Sequence, residues 1–243
     1  MAEHIYPEGA RNNMLAGMYS EIAMEAYFHA TKYYRVIRDK QYSAFAGYEL
    51  SEFNKYIVQT VVFAAMSIES FLNDYAAACL GDSEFYSNFD KLSAVSKFQL
   101  IAKFILKSKV EKDKKYYFYL KTLFTLRDSY VHNKSTSFNT EGYATLEEYL
   151  DYAQEEYKEE LSEDAWCFNK DEIDTDYRGA TNALNAIKEI ALYFDKNDAS
   201  QIAMRRFFNP FGLQAGSEKE KEYKSMVFSE LGIKVDENYE IQI

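Results

Sequence analysis

The chain has 243 residues, and 47% of them are apolar, which is enough to bury a sizeable core. Only two prolines and nine glycines interrupt it, so the composition favours long helices over a turn-rich β fold. The two cysteines, Cys79 and Cys167, belong to no Cys-x-x-Cys pair, which argues against a disulfide framework and against a zinc cluster. We therefore expect no metal and no cofactor.

Charge is distributed unevenly along the chain. The net charge is −11, yet residues 97–134 carry ten basic side chains and three acidic ones. Residues 141–176 carry fourteen acidic side chains and two lysines. The acidic balance comes from one segment, so it does not exclude binding of nucleic acid elsewhere on the molecule.

The first half of the chain predicts two long helices. The first spans residues 13–38, where apolar side chains recur at three- and four-residue steps and predict one helical face: Leu15, Met18, Ile22, Ala26, His29, Tyr33 and Val36. The second spans residues 53–80, with Gly81 as its C-cap. Because that helix is apolar around most of its circumference, we expect it to lie at the centre of the fold.

Three more helices follow. We predict helices at 93–107, with Ser93 as N-cap, and at 112–133, joined by a hairpin so short that the two are antiparallel neighbours. Residues 135–176 form an insertion whose middle, 145–161, is an acidic amphipathic helix. The fifth helix spans residues 177–194.

The predicted fold class is all-α, an antiparallel up-and-down helical bundle with an inserted acidic helix and a small C-terminal appendage. The bundle takes residues 1–197 and contains the insertion, 135–176. The appendage, 198–243, packs on the bundle and contains a short helix near 218–231 and a possible terminal strand. The longest apolar stretch, about 57–66, is too short to span a bilayer. With no signal pattern at the amino terminus, we expect a cytoplasmic protein that does not associate with a membrane.

Candidate chemistry concentrates at the end of the fourth helix. Arg127 lies in the middle of that helix's apolar stripe, and a buried arginine needs a partner. Arg127 either forms an internal ion pair, for which Glu69 is the candidate, or presents its charge to a cleft between helices or protomers. His132 follows about 140° around the helix, so the two side chains meet only if the helix ends there or a second protomer contributes. Asp128 lies on the side of His132 and could orient its imidazole.

The stretch Arg127-Asp128-Ser129-Tyr130-Val131-His132 resembles the Arg-x4–6-His motif of HEPN domains. The context is similar too. Ser67-Ile68-Glu69-Ser70-Phe71-Leu72-Asn73 lies in the central helix, and a helix with a lysine in mid-turn, Lys97, precedes the motif helix. The resemblance covers residues 50–195 and does not cover the acidic insertion or the appendage. Aspartate stands after the arginine where asparagine is also found, which puts a negative charge close to a bound phosphate.

The resemblance implies a homodimer whose motif residues line a shared cleft and, in active members, metal-independent cleavage of RNA in toxin or phage-defence systems. His132 would be the acid or base, Arg127 the phosphate clamp and Asp128 the group that orients the imidazole. Glu69, Asn73 and Tyr130 would support these residues, while Lys97 and Lys134 would contact RNA. An antitoxin or another protein partner is a further possibility.

Non-catalytic and structural interpretations of the same residues are the alternatives. A non-catalytic HEPN-like dimeric module could bind a protein or nucleotide through the same cleft, and a purely structural dimer is a third alternative. Arg127 could be a structural ion pair, and His132 a histidine that interacts with the helix dipole. The pattern predicts that His29 belongs to the core. The acidic insertion could be a solvated face, a partner-binding arm or a cover for the basic helices.

Overall fold

The computed structural model describes residues 15–41, 46–132, 169–208, 218–235 and 241–242. Within these ranges the chain is all-α, as predicted, apart from one antiparallel pair of two-residue strands. The elements in chain order are α1 (Leu15–Asp39), α2 (Gly47–Leu80), α3 (Asp82–Glu84), α4 (Ala94–Leu100), α5 (Lys115–Val131), α6 (Lys170–Asn197), α7 (Ala203–Phe208), α8 (Glu218–Leu231), β1 (Lys234–Val235) and β2 (Ile241–Gln242). Single π-helical stretches extend α3 through Phe85–Phe89 and α4 through Ile101–Ile105.

The two long helices α1 and α2 pack against each other along most of their length. They run antiparallel, because Ser67 Oγ donates to the carbonyl of Ala16 at 2.6 Å near one end, while His29 stacks on Tyr56 near the other. The α1 side of the contact consists mainly of small buried residues: Ala16, Gly17, Ser20, Ala23 and Ala30. Small side chains let two helix backbones approach closely, which fixes the pair as a rigid unit.

The apolar stripe predicted for α1 is not its buried face. Leu15, Met18 and Ile22 are exposed, and only Ala26 of the predicted set is fully buried. The helix presents its small residues, together with Met24, Tyr27 and Phe28, to the core. The prediction followed the large apolar side chains, whereas close packing against α2 selected the small ones.

The central position predicted for α2 is confirmed by its contacts with α1, α4, α5 and α6. Phe71 shows how this core is joined, since its ring lies 4.9 Å from that of Phe194 in α6 and 4.8 Å from that of Phe207 in α7. By length and composition alone, α2 is also apolar enough to cross a membrane. Core helices of soluble proteins share this property, and half of the most apolar 18-residue stretch of α2 is buried inside the structure.

Two predicted helix ends are confirmed. Gly81 follows α2 with φ of +85°, a conformation that disfavours any side chain, and its N–H donates to the carbonyl of Ala77. Ser93 caps α4, and its hydroxyl accepts a hydrogen bond from the N–H of Ser96 at 3.2 Å.

Helix α6 begins at Lys170, seven residues before its predicted start. Asn169 caps it by accepting hydrogen bonds from the N–H groups of Asp171 and Glu172. Those two acidic residues lie in the first turn, where negative charge favours the positive end of the helix dipole. The prediction assigned them to the acidic insertion. The rest of that insertion, including the helix predicted at 145–161, lies outside the described residues.

The C-terminal helices α7 and α8 both contact α1, and α7 also contacts α6. The helix predicted near 218–231 is confirmed as α8, and β1 and β2 pair beyond it. Asp195 of α6 accepts hydrogen bonds from the N–H groups of Ala203 and Met204 at the start of α7. Arg206 of α7 pairs with Asp74 of α2, whose side chain is buried.

The predicted core histidine, His29, is only half-buried. Its ring stacks on Tyr56 with centroids 4.9 Å apart, and Nε2 lies 3.9 Å from the carboxylate of Glu25. Burial lowers the pKa of His29 below its usual value, and the nearby Glu25 opposes that shift.

Replacing Arg206 by methionine should leave the buried carboxylate of Asp74 without this cation. Removing one member of a buried ion pair costs about 3–5 kcal/mol, so we expect a loss of that order in the free energy of unfolding, measured in urea. Arg205→Met is the matched control, because Arg205 is exposed and its loss should change stability by less than about 0.5 kcal/mol. Equal stability of the two variants would contradict the prediction.

Candidate functional site

Helix α4 brings a buried lysine into contact with the polar residues of α2. Glu69 and Asn73 are four residues apart and share that face. Lys97 of α4 is only 1% exposed, and its Nζ donates a 2.8 Å hydrogen bond to Asn73 Oδ1. The same Nζ lies 3.6 Å from Glu69 Oε1. A buried ammonium group needs such partners, since burying a charge without them costs several kcal/mol.

Arg127 of α5 reaches the same carboxylate from the other side. Its Nη2 lies 3.8 Å from Glu69 Oε2, and the predicted ion pair is therefore present. The guanidinium also lies 5.6 Å from the ring centre of Phe124. We call Glu69, Asn73, Lys97 and Arg127 the Glu69 cluster, in which one carboxylate lies between two cations.

Asp128 does not take the role predicted for it. Its Oδ1 lies 3.0 Å from Nη1 of Arg127, so it is a partner of the arginine and not of the histidine. The side chain of Asp128 is 57% exposed, and that of Arg127 is 26% exposed. The short carboxylate turns toward the neighbouring guanidinium because the two charges attract at close range.

His132 lies at the end of α5. Its backbone N–H donates to the carbonyl of Asp128 at 2.9 Å, and the helix ends at Val131. The side chain is exposed. No hydrogen bond or ion pair joins the imidazole to Arg127 or Asp128, all three of which are described. The helix thus ends at the histidine, which is one of the two alternatives, but within one chain the two side chains do not meet.

Tyr130 does not join the Glu69 cluster. Its hydroxyl donates to Asp176 Oδ1 of α6 at 3.4 Å. Burial, with the nearby Asp176 carboxylate, raises the pKa of Tyr130 to about 12. Burial also raises the pKa of Asp176, together with the charge of Glu172. Tyr130 therefore fastens α5 to α6 and does not support Arg127 or His132.

The two lysines predicted to contact RNA have different outcomes. Lys97 is buried in the Glu69 cluster, so its ammonium is not presented to a ligand on the surface. The side chain of Lys97 contacts α2 instead. Lys134 lies outside the described residues.

A groove of the described chain was not predicted from the sequence. It has a volume of about 990 Å³ and lies between α5 and the first half of α6. These helices run antiparallel, since Tyr116 packs on Tyr193 and Tyr130 bonds to Asp176. We call it the α5–α6 groove, and it is lined by Lys112, Tyr117, Phe118, Lys121, Thr122, Thr125, Leu126, Ser129, Thr175, Asp176, Arg178, Gly179 and Asn182.

The groove and Arg127 lie on opposite sides of α5. At about 100° per residue, Phe118, Thr125 and Ser129 lie roughly 160–200° from Arg127. The sequence signal for the groove is the polar face of Thr122, Thr125 and Ser129. The same pattern is equally typical of a solvated helix surface. Pairing with α6 turns that face into a concave wall.

Comparisons with known proteins add no relative. No family model matches the chain, and neither the curated proteins nor the solved structures gave a match. Within the described ranges, no three His, Cys, Asp or Glu side chains gather in a way that would hold a metal ion.

Replacing Lys97 by methionine should destabilise the fold by removing its hydrogen bond to Asn73 and its ion pair with Glu69. Hydrogen bonds to charged groups contribute about 1.5–3 kcal/mol, and we expect a loss of that size in the free energy of unfolding. Lys103→Met is the control, because Lys103 is exposed on the same segment and makes no ion pair with a described residue. If both variants unfold at the same urea concentration, the Glu69 cluster does not stabilise the fold.

Proposed function

We propose that the chain is a HEPN-like, metal-independent endoribonuclease in which Arg127 binds the scissile phosphate and His132 transfers the proton. The observation that carries the proposal is the accessibility of both motif residues. Arg127 is partly exposed beside Glu69, and His132 is exposed where α5 ends. A site sealed inside the protomer would argue against catalysis, and this one is open.

The proposed reaction needs only these groups. The ribose 2′-oxygen attacks the phosphorus, the bond to the 5′-oxygen breaks, and the products are a 2′,3′-cyclic phosphate and a 5′-hydroxyl end. Imidazole gains and loses protons near neutral pH, so His132 can accept the 2′-hydroxyl proton or donate one to the leaving oxygen. A guanidinium can bind the phosphate through two parallel hydrogen bonds and stabilise its developing charge.

Phosphate binding would rearrange the ion pairs of Arg127. Asp128 is more than half exposed, so its carboxylate can turn into solvent when a phosphate replaces it. Glu69 is held by Lys97 as well as by Arg127 and would stay in place. Lys97 would thereby offset part of the charge that Glu69 presents to the phosphate.

The proposed site is completed by a second protomer. Arg127 and His132 diverge around α5, and no contact joins them within one chain. In a two-fold dimer, Arg127 of one protomer and His132 of the other can face the same phosphate.

A second candidate function is a non-catalytic HEPN-like dimeric module that binds a protein or nucleotide partner. The observation that favours it is the neutralisation of Arg127 by two carboxylates, Glu69 and Asp128. An arginine held in this way stabilises the fold without chemistry, and a net charge of −11 suits a protein partner.

The nuclease proposal predicts cleavage of RNA in EDTA by the purified protein. General acid–base catalysis contributes about 10²- to 10⁴-fold, so His132→Ala should lower the cleavage rate by that factor. Val131→Ala is the matched control, because Val131 is an exposed neighbour with no group that transfers protons. If wild type and His132→Ala both leave RNA intact, the nuclease proposal fails and the binding module is favoured.

The shared site predicts complementation between two inactive variants. Arg127→Ala and His132→Ala chains, mixed after dissociation and reassociation, should regain cleavage at about a quarter of the wild-type rate, because half of the dimers carry one intact site. Each variant alone gives the baseline. If the mixture stays at that baseline while mixed dimers are shown to form, both residues act within one chain.

A further inference from the structure

The α5–α6 groove presents cations that the described chain does not neutralise. Lys112 and Lys121 come from the α5 side and Arg178 from α6. No ion pair joins any of the three to a carboxylate of the described residues, although many other lysines, such as Lys32, have one. Arg178 donates instead to the carbonyl of Asp174 and the hydroxyl of Thr175, so its guanidinium is held without losing its charge.

An exposed aromatic ring lies among these cations. Phe118 is 59% exposed and lines the groove, with Tyr117 beside it. An exposed ring of this kind offers a flat face on which an unpaired base can stack.

The floor of the groove depends on a glycine. A Cβ atom at Gly179 would lie 3.0 Å from Cδ2 of Leu126, so the absence of a side chain lets α6 lie close to α5. The hydroxyls of Thr122, Thr125 and Ser129 line the wall on the α5 side. The surface thus combines a packed apolar floor, hydroxyl groups and a cationic rim.

We infer that the α5–α6 groove binds a single-stranded nucleic acid, with a base stacked on Phe118 and phosphates beside Lys121 and Arg178. Charge complementarity selects a polyanion, because three cations that pair with no described carboxylate flank the groove, against one lining carboxylate, Asp176, which accepts a hydrogen bond from Tyr130. The exposed ring selects a strand with unpaired bases, since bases within a duplex do not offer their faces. A dinucleotide or longer strand meets both requirements at once.

The groove also points toward His132. Along α5 the groove residues Lys121, Thr125 and Ser129 follow one another at four-residue steps, and His132 comes three residues later. Such spacing keeps side chains on one side of a helix. A strand bound in the groove therefore runs toward the imidazole, on the side of α5 away from Arg127.

This inference adds a binding surface to the proposed function. It rests on the proposed function only in the choice of RNA as the first polymer to test. Binding is measured with the His132→Ala protein, which keeps cleavage out of the assay. A wild-type protein that cleaves no RNA, together with intact binding by the His132→Ala protein, would overturn the nuclease proposal alone, whereas absence of binding overturns the inference.

The test compares two matched pairs of variants in fluorescence-anisotropy titrations of a labelled 12-nucleotide single-stranded RNA. Phe118→Ala should weaken binding about 5- to 150-fold, the range found for loss of one stacked base. Lys121→Glu should weaken it at least as much and lower the dependence of affinity on salt. The controls are Phe104→Ala and Lys103→Glu, which change an equally exposed phenylalanine and lysine outside the groove and should bind within twofold of the parent.

Several outcomes decide the inference. Unchanged melting curves with weaker binding only for the two groove variants support it, whether the strand is RNA or DNA. It is overturned if the parent protein binds no single strand, or if groove and control variants weaken binding equally. Equal affinity for duplex RNA overturns it as well. Binding of an acidic peptide that depends on Phe118, without binding of RNA, would make the groove a protein-docking surface instead.

Discussion

The fold depends on the need to cover α2 from several sides. A helix with Phe53, Ile57, Val61, Ile68, Phe71 and Leu72 buried along it cannot stand at a surface, because each buried apolar side chain contributes roughly 1.5–3 kcal/mol relative to exposure. Helices α1, α4, α5 and α6 supply that cover. The residues of the candidate site lie on α2, on helices that pack on it or, for His132, at the end of such a helix, so the position of the site follows from the burial of α2.

The polar residues of α2 determine where charge enters this interior. Glu69 and Asn73 interrupt the apolar surface, and a buried lysine from α4 and an arginine from α5 gather at them. The carboxylate therefore has two tasks: it balances Lys97, which stabilises the packing of α4, and it holds Arg127 near the surface. The first task explains the cluster without any function, and only the second bears on the proposed chemistry.

The two sides of α5 serve different roles in this picture. One side carries Arg127 into the Glu69 cluster, while the other forms the wall of the α5–α6 groove and ends at His132. The Arg-x4–6-His spacing thus separates the two motif residues within a chain. Both proposals start from the separation of Arg127 and His132 around α5. The proposed dimer brings the Arg127 of one protomer to the His132 of the other, and the proposed groove brings the substrate to His132.

The sequence by itself determined the helical class, most helix positions and several helix ends, because scarcity of proline and glycine, apolar periodicity and capping residues act over a few neighbours. It also indicated that Arg127 needs a partner and that Glu69 could be one. It could not identify the buried face of α1. The apolar pattern is set by the large side chains, whereas the close contact with α2 buries mainly small ones. It assigned Lys97 a contact with RNA and paired Asp128 with His132. Spacing alone shows neither which side of α4 faces α2 nor which way a short carboxylate turns. The groove was decided by tertiary structure alone, because a concave surface exists only once α6 lies against α5.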